Sequence, residues 1–139
     1  MRKAVYLFCL SLILSSCSVS PQKIEYGKDM CTSCDMTIVD KTHAAQYVTN
    51  KGRAYKFDAI ECLLNDLKEK DETTMAFVLV TDFTTPAQLI NASEAVYLIS
   101  EEIKSPMGAN LSAFSNKNSI VQKGTQYNWK EINQYFNKK

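Results

Sequence analysis

Apolar positions change their period twice between residues 44 and 81, and the changes mark out elements. Ala44–Asn50 alternates loosely around Tyr47 and Val48. Lys51-Gly52 turns the chain, and Arg53–Phe57 alternates with Tyr55 and Phe57 on one face, so the pair predicts a β-hairpin. The spacing then switches to that of a helix, with Ile60, Leu63, Leu64 and Leu67 at i, i+3, i+4 and i+7. Asp58 fits its N-cap with Glu61 as a capping-box variant, and Lys68 and Lys70 fit a last turn near residue 70. Met75–Thr81 is a continuous apolar run suited to a central strand.

The second half repeats this β-β-α-β order more faintly. After a connection over 82–91 that contains Pro86, strands are expected at Ala92–Ser100 and Leu111–Phe114. A short helix is expected at Asn116–Lys123, a strand at Thr125–Asn128 and an amphipathic helix at Trp129–Lys138, with Trp129, Ile132 and Phe136 on its apolar face. The expected fold class is α+β: two small related ββαβ units over 30–82 and 83–139. Each is too small to be stable alone, so they pack together. No direct sequence repeat relates them.

The N-terminus changes the picture. Arg2 and Lys3 precede an apolar run from Ala4 to Leu14, too short for a membrane span and right for a signal peptide over 1–16. Leu14-Ser15-Ser16-Cys17 resembles a bacterial lipobox, which makes Cys17 the expected lipidation site and 17–29 a lipidated tether. The address is then the periplasmic side of a bacterial membrane. Ser18 after the lipidated Cys favours the outer membrane of a Gram-negative source. Losing Arg2 and Lys3 from 16 basic residues against 15 acidic ones turns the net charge from +1 to −1. No basic stripe is present, so nucleic acid is not an expected partner.

Chemistry concentrates in Met30-Cys31-Thr32-Ser33-Cys34-Asp35-Met36. Thiolate and thioether are soft donors, and thioethers are rare around Zn, so the mixture favours Cu(I). In extended backbone Cys34 and Met36 point the same way, while Met30 points away from Cys31. A C-x-x-C also serves as a redox dithiol or a structural disulfide, and both alternatives stay open at this point. Cys62 falls off the helical stripe, one turn after Asp58, where thiol and carboxylate could join a metal site. Met107 lies in a Ser-Pro-Met-Gly loop, where a thioether is reachable. His43, the one His, is a further nitrogen donor near the heptad. Cys31, Cys34 and Cys62 are an odd number of thiols for an oxidising compartment, which argues against a full disulfide framework.

The lipobox, the Met-Cys-x-x-Cys-x-Met stretch, Tyr55-Lys56-Phe57-Asp58 opening a helix with Cys62, and Ser105-Pro106-Met107-Gly108-Ala109-Asn110-Leu111-Ser112-Ala113-Phe114 together resemble the NosL family. These are copper-binding lipoproteins that accompany nitrous oxide reductase. The resemblance spans essentially the whole chain after the leader. It implies two related ββαβ units and a periplasmic Cu(I) chaperone, not an enzyme, that serves the reductase's copper–sulfur centre. The implied partners are nitrous oxide reductase, or another copper enzyme, and its maturation transporter. Carried onto this chain, the ligand candidates are Cys31, Cys34, Met36 and Met107, with Met30, Asp58, Cys62 and His43 of second rank. Asp35 stands where relatives often have Gly. The competing function is a membrane-anchored thiol–disulfide oxidoreductase acting through Cys31 and Cys34. A structural lipoprotein clipped by its dithiol is a third class.

Overall fold

A computed structural model describes residues 18–138, so the expected leader and the expected lipidation at Cys17 lie outside the described residues. The first sheet has β1 (Ala45–Thr49), β2 (Ala54–Phe57), β3 (Met75–Thr81) and β4 (Leu89–Asn91) in the order β2-β1-β3-β4, all antiparallel. The expected hairpin is present, with Gly52 at φ 86° in its turn. Helix α1 (Ile60–Leu67) carries the chain from β2 over β1 to β3. Its stripe of Ile60, Leu63, Leu64 and Leu67 is buried. Each such side chain contributes about 1.5–3 kcal/mol by leaving water. Tyr47, in the middle strand, stacks on Tyr55 at 4.8 Å and donates its hydroxyl to Asp66 at 3.0 Å, tying sheet to helix.

The second sheet has β5 (Val96–Ile99), β6 (Leu111–Phe114) and β7 (Thr125–Tyr127) in the order β6-β5-β7, followed by α2 (Trp129–Asn137). Both sheets therefore place the earlier strand of their hairpin in the middle. Asn128 caps α2 in a capping box with Glu131. The sheets meet where Asp82 bridges Ala113 and the Phe83 amide donates to the Ala113 carbonyl at 2.8 Å. The architecture is a small α+β body with two antiparallel sheets and two helices among the described residues. None of these helices is long and apolar enough to cross a membrane.

Several expectations need correction. The helix expected over 116–123 is a single 3-10 turn at Lys117–Ser119, with the Asn116 side chain accepting from the Asn118 amide. The strand expected over 92–100 is shorter, β5 alone at Val96–Ile99, and β4 falls in the connection expected over 82–91. The start of that stretch is a turn instead, because the Asn91 side chain at the end of β4 accepts twice from Ser93. Helix α1 is shorter than expected and its N-cap is Ala59, with no side-chain cap. Asp58 and Glu61 are spent elsewhere, as described below. Lys68 is the C-cap, and Lys70 lies beyond the helix, 3.6 Å from Asp66. The segment expected as a tether joins the body from Gln22 onward. Gln22 exchanges two hydrogen bonds with the Gln46 side chain, and Ile24 is buried in the core.

Gly124 packs directly on β5. A Cβ there would collide with the Ile99 carbonyl and come within 2.9 Å of Leu98 Cδ1. Gly124→Ala is expected to lower unfolding stability by about 1–3 kcal/mol. Urea denaturation of the soluble domain checks this.

Candidate metal centre

The first turn of α1 is buried all round: Ile60, Leu63 and Leu64 face the sheet, and Glu61 and Cys62 are buried too. A stripe helix should expose those two positions. Two loops cover them.

The first loop carries the thiols. Cys31 donates its amide to the Met36 carbonyl at 2.8 Å, and Asp35 donates back to the Cys31 carbonyl at 3.1 Å, closing the loop. Asp35 adopts φ 59°, the left-handed region that Gly enters freely and Asp tolerates. The loop hangs on the edge of β2, because Thr32 donates to the Lys56 carbonyl at 2.8 Å. Lys56 also reaches back with its ammonium to Asp29 at 2.6 Å and to the Lys23 carbonyl at 2.7 Å. That ammonium holds the Asp29 carboxyl below the usual carboxylate range.

Cys34 and Cys62 both donate to Asp58 Oδ1, at 3.4 and 3.3 Å. The Sγ atoms of Cys31, Cys34 and Cys62 and a carboxylate oxygen of Asp58 all lie within 4.8 Å of one another. In a tetrahedral centre with metal–sulfur bonds of about 2.3 Å, the sulfurs stand roughly 3.8 Å apart, so the cluster needs only a small closure. Cys31 and Cys62 are buried and Cys34 is half-buried; all three are free thiols. Burial pushes the Cys34 thiol up, with Cys31 and Asp58 adding to it and the Met36 amide opposing it. Burial pushes Cys62 up much further, and again Cys31, Asp58 and Cys34 add to it. Without a cation these are protonated thiols resting on a carboxylate.

The second loop carries Met107. Ser105 donates its hydroxyl to Glu61 Oε1, and Gly108 donates to the Ser105 carbonyl at 3.0 Å. The Ser-Pro-Met-Gly turn is therefore fastened to α1 one residue ahead of Cys62. Met30, Met36 and Met107 are all exposed, at 54%, 45% and 45%.

The structure thus brings Cys31, Cys34, Asp58 and Cys62 together and leaves the thioethers on the surface of the two covering loops. His43 lies elsewhere. It is 2% exposed, with Nδ1 at 2.9 Å from Asp40 and Nε2 at 3.2 Å from Ser112, so both ring nitrogens are engaged between the two sheets. Cys62 is more central than its off-stripe position suggested. The readable signal was Asp58 one turn earlier. The Glu61–Ser105 contact had no sequence signal, since it joins residues 44 apart.

The NosL family model matches residues 21–134, nearly all of the described chain. The chain belongs to the NosL family. Among solved structures, the fold is similar to the crystal structure of the copper chaperone NosL from Shewanella denitrificans. The TM-score is 0.72 at 21% identity, covering 85% of this chain and 98% of that one. At that identity the likeness speaks for the fold. Among curated protein sequences, none matches the chain. Family membership and the Cys31–Cys34–Asp58–Cys62 cluster rest on independent observations, one from the sequence profile and one from geometry.

The exposure order sets thiol reactivity. In the metal-free, reduced domain, a maleimide is expected to label Cys34 first and Cys31 and Cys62 only after unfolding. Because the Cys34 thiol is raised, its thiolate is scarce at neutral pH, and its labelling rate should climb about tenfold per pH unit beyond the ordinary thiol range. Timed labelling with peptide mass mapping reads both.

Proposed function

We propose that the chain is a lipid-anchored carrier of Cu(I), held on the periplasmic side of a bacterial membrane through Cys17, and that it delivers the metal instead of transforming a substrate. The single observation that carries this reading is the convergence of three thiols and Asp58 at the buried start of α1 in a NosL-family chain. Soft sulfur donors select a soft cation, and the thioethers on the two loops that cover the first turn of α1 suit the monovalent one. The proposed ligands are Cys31, Cys34, Met36 and Met107, with Cys62 and Asp58 completing the inner side and Met30 as a neighbouring donor at the rim. The proposed organisation is a leader over 1–16, an anchored segment over 17–29, and two related ββαβ units over 30–82 and 83–139. In the second unit a 3-10 turn takes the place of the middle helix. The proposed recipient, by family, is nitrous oxide reductase with its maturation transporter, and the cargo is destined for its copper–sulfur centre.

Burial and the position of the thiols disfavour the thiol–disulfide oxidoreductase. Such enzymes depress the pKa of an attacking thiol at a helix N-terminus. Here Cys31 and Cys34 sit in a loop, and the more accessible thiol, Cys34, is pushed up.

Titration of the reduced domain with Cu(I) against a chromophoric competitor tests the reading. Cys34→Ser and Met107→Ala are expected to weaken binding, by roughly a hundredfold for the thiol. Cys62→Ala should shorten the sulfur count seen by X-ray absorption. Wild-type affinity in both Cys34→Ser and Met107→Ala would sink the site.

A further inference from the structure

Glu61 is an acidic side chain in the first turn of α1, a place that suits one, yet it is buried. It lies two residues after the N-cap and is 2% exposed; burial raises its carboxyl, and the Ser105 hydroxyl and the Glu61 and Leu111 amides oppose that. Oε1 accepts the Ser105 hydroxyl, and Oε2 has no hydrogen-bonding partner among the described residues. An unsatisfied buried carboxyl oxygen destabilises a fold, so its retention calls for a purpose.

Its partner supplies one. Ser105 Oγ donates to Glu61 and accepts from the Asn110 amide at 2.9 Å. The same residue's carbonyl accepts from Gly108, which closes the turn with Gly108 at φ 78°. Pro106 stiffens the turn at one side of Met107. Ser105 is thus both the clasp of this turn and its attachment to α1. The attachment point is the residue before Cys62. Met107, at the tip, is 45% exposed and has little burial of its own to hold it in place.

We infer that Glu61 is a positioning residue: through Ser105 it fixes the turn 105–108 against the first turn of α1 and so holds Met107 at a set station on that side of the helix. This rests on the reading of Met107 as a copper ligand. A thioether on a loose loop must be ordered when the metal arrives, and that ordering weakens binding. A thioether already held loses less. The buried carboxylate is tolerated for the sake of a preorganised weak ligand.

The test separates the latch from the ligand. Reduced, metal-free protein carrying methyl-13C methionine gives separate NMR signals for Met30, Met36, Met75 and Met107. Ser105→Ala should shift the Met107 methyl and sharpen it toward a mobile signal, with the other three unchanged. Ser105→Thr, which keeps the hydroxyl, should restore the wild-type signal. Glu61→Leu removes the acceptor of the Ser105 hydroxyl, so it gives the same loosening from the helix side of the contact. Both disrupting variants should weaken Cu(I) by about tenfold, the scale of one hydrogen bond. Neither should weaken it further in a Met107→Ala background, because the two changes then act on one interaction. An unmoved Met107 methyl in both disrupting variants overturns the latch. Additive losses with Met107→Ala overturn it as a device for that residue. A loosened methyl with unchanged copper affinity upholds the latch and instead removes Met107 from the ligand set.

Discussion

Asp58 stands one residue ahead of the N-cap of α1 and collects the thiols of Cys34 and Cys62 on one oxygen. Cys62 comes from the helix itself, four residues on. Cys34 comes from a loop 24 residues earlier, so the contact joins the N-terminal segment to the helix. The carboxylate's commitment to the thiols has a local cost. It does not cap α1, the N-cap passes to Ala59, and the helix begins later than its composition predicts. What the helix loses in capping, roughly 1 kcal/mol by general experience, is offset by burial around its first turn.

The rest of the body positions the two loops that cover that turn. The middle strand of the first sheet carries Tyr47, which fixes the helix through Asp66, and the edge strand β2 carries Lys56, which grips the thiol loop at Asp29. An edge strand normally presents unpaired backbone to solvent, and here the Thr32 amide takes one of its carbonyls. The second sheet serves the other loop. It delivers the 105–108 turn between β5 and β6 and is braced on the first sheet by His43, whose ring spans Asp40 and Ser112. A His with both nitrogens engaged in this way works as a strut between sheets.

The hairpin, the stripe of α1, the central strand β3 and the last helix were legible because each is governed by local periodicity. The heptad was legible as chemistry because four sulfurs in seven residues have few other uses. What was not legible depended on contacts distant in sequence. Asp58 and Glu61 have the spacing of a capping box, and local rules assign them to the helix end. Tertiary partners outbid that assignment, Cys34 for Asp58 and Ser105 for Glu61. The 116–123 segment failed as a helix for a local reason: Asn116 bonds the backbone two residues on and closes a tight turn instead. Cys62 looked peripheral because helical periodicity defines one buried face, and it cannot foresee loops that bury a second.

The electrostatics of the cluster explain why these thiols suit a metal better than a disulfide exchange. Burial and the neighbouring Asp58 both favour the protonated thiol at Cys34 and Cys62. Thiol exchange needs thiolate at ambient pH, so the same features slow it. A cation inverts the sign of both effects. A bound cation would displace the thiol protons, neutralise the charge that burial penalises, and make Asp58 a neighbour that favours the ion instead of one that opposes ionisation. The Cys34 and Cys62 thiols therefore resist ionising alone, and on the proposed function they would ionise together with the metal.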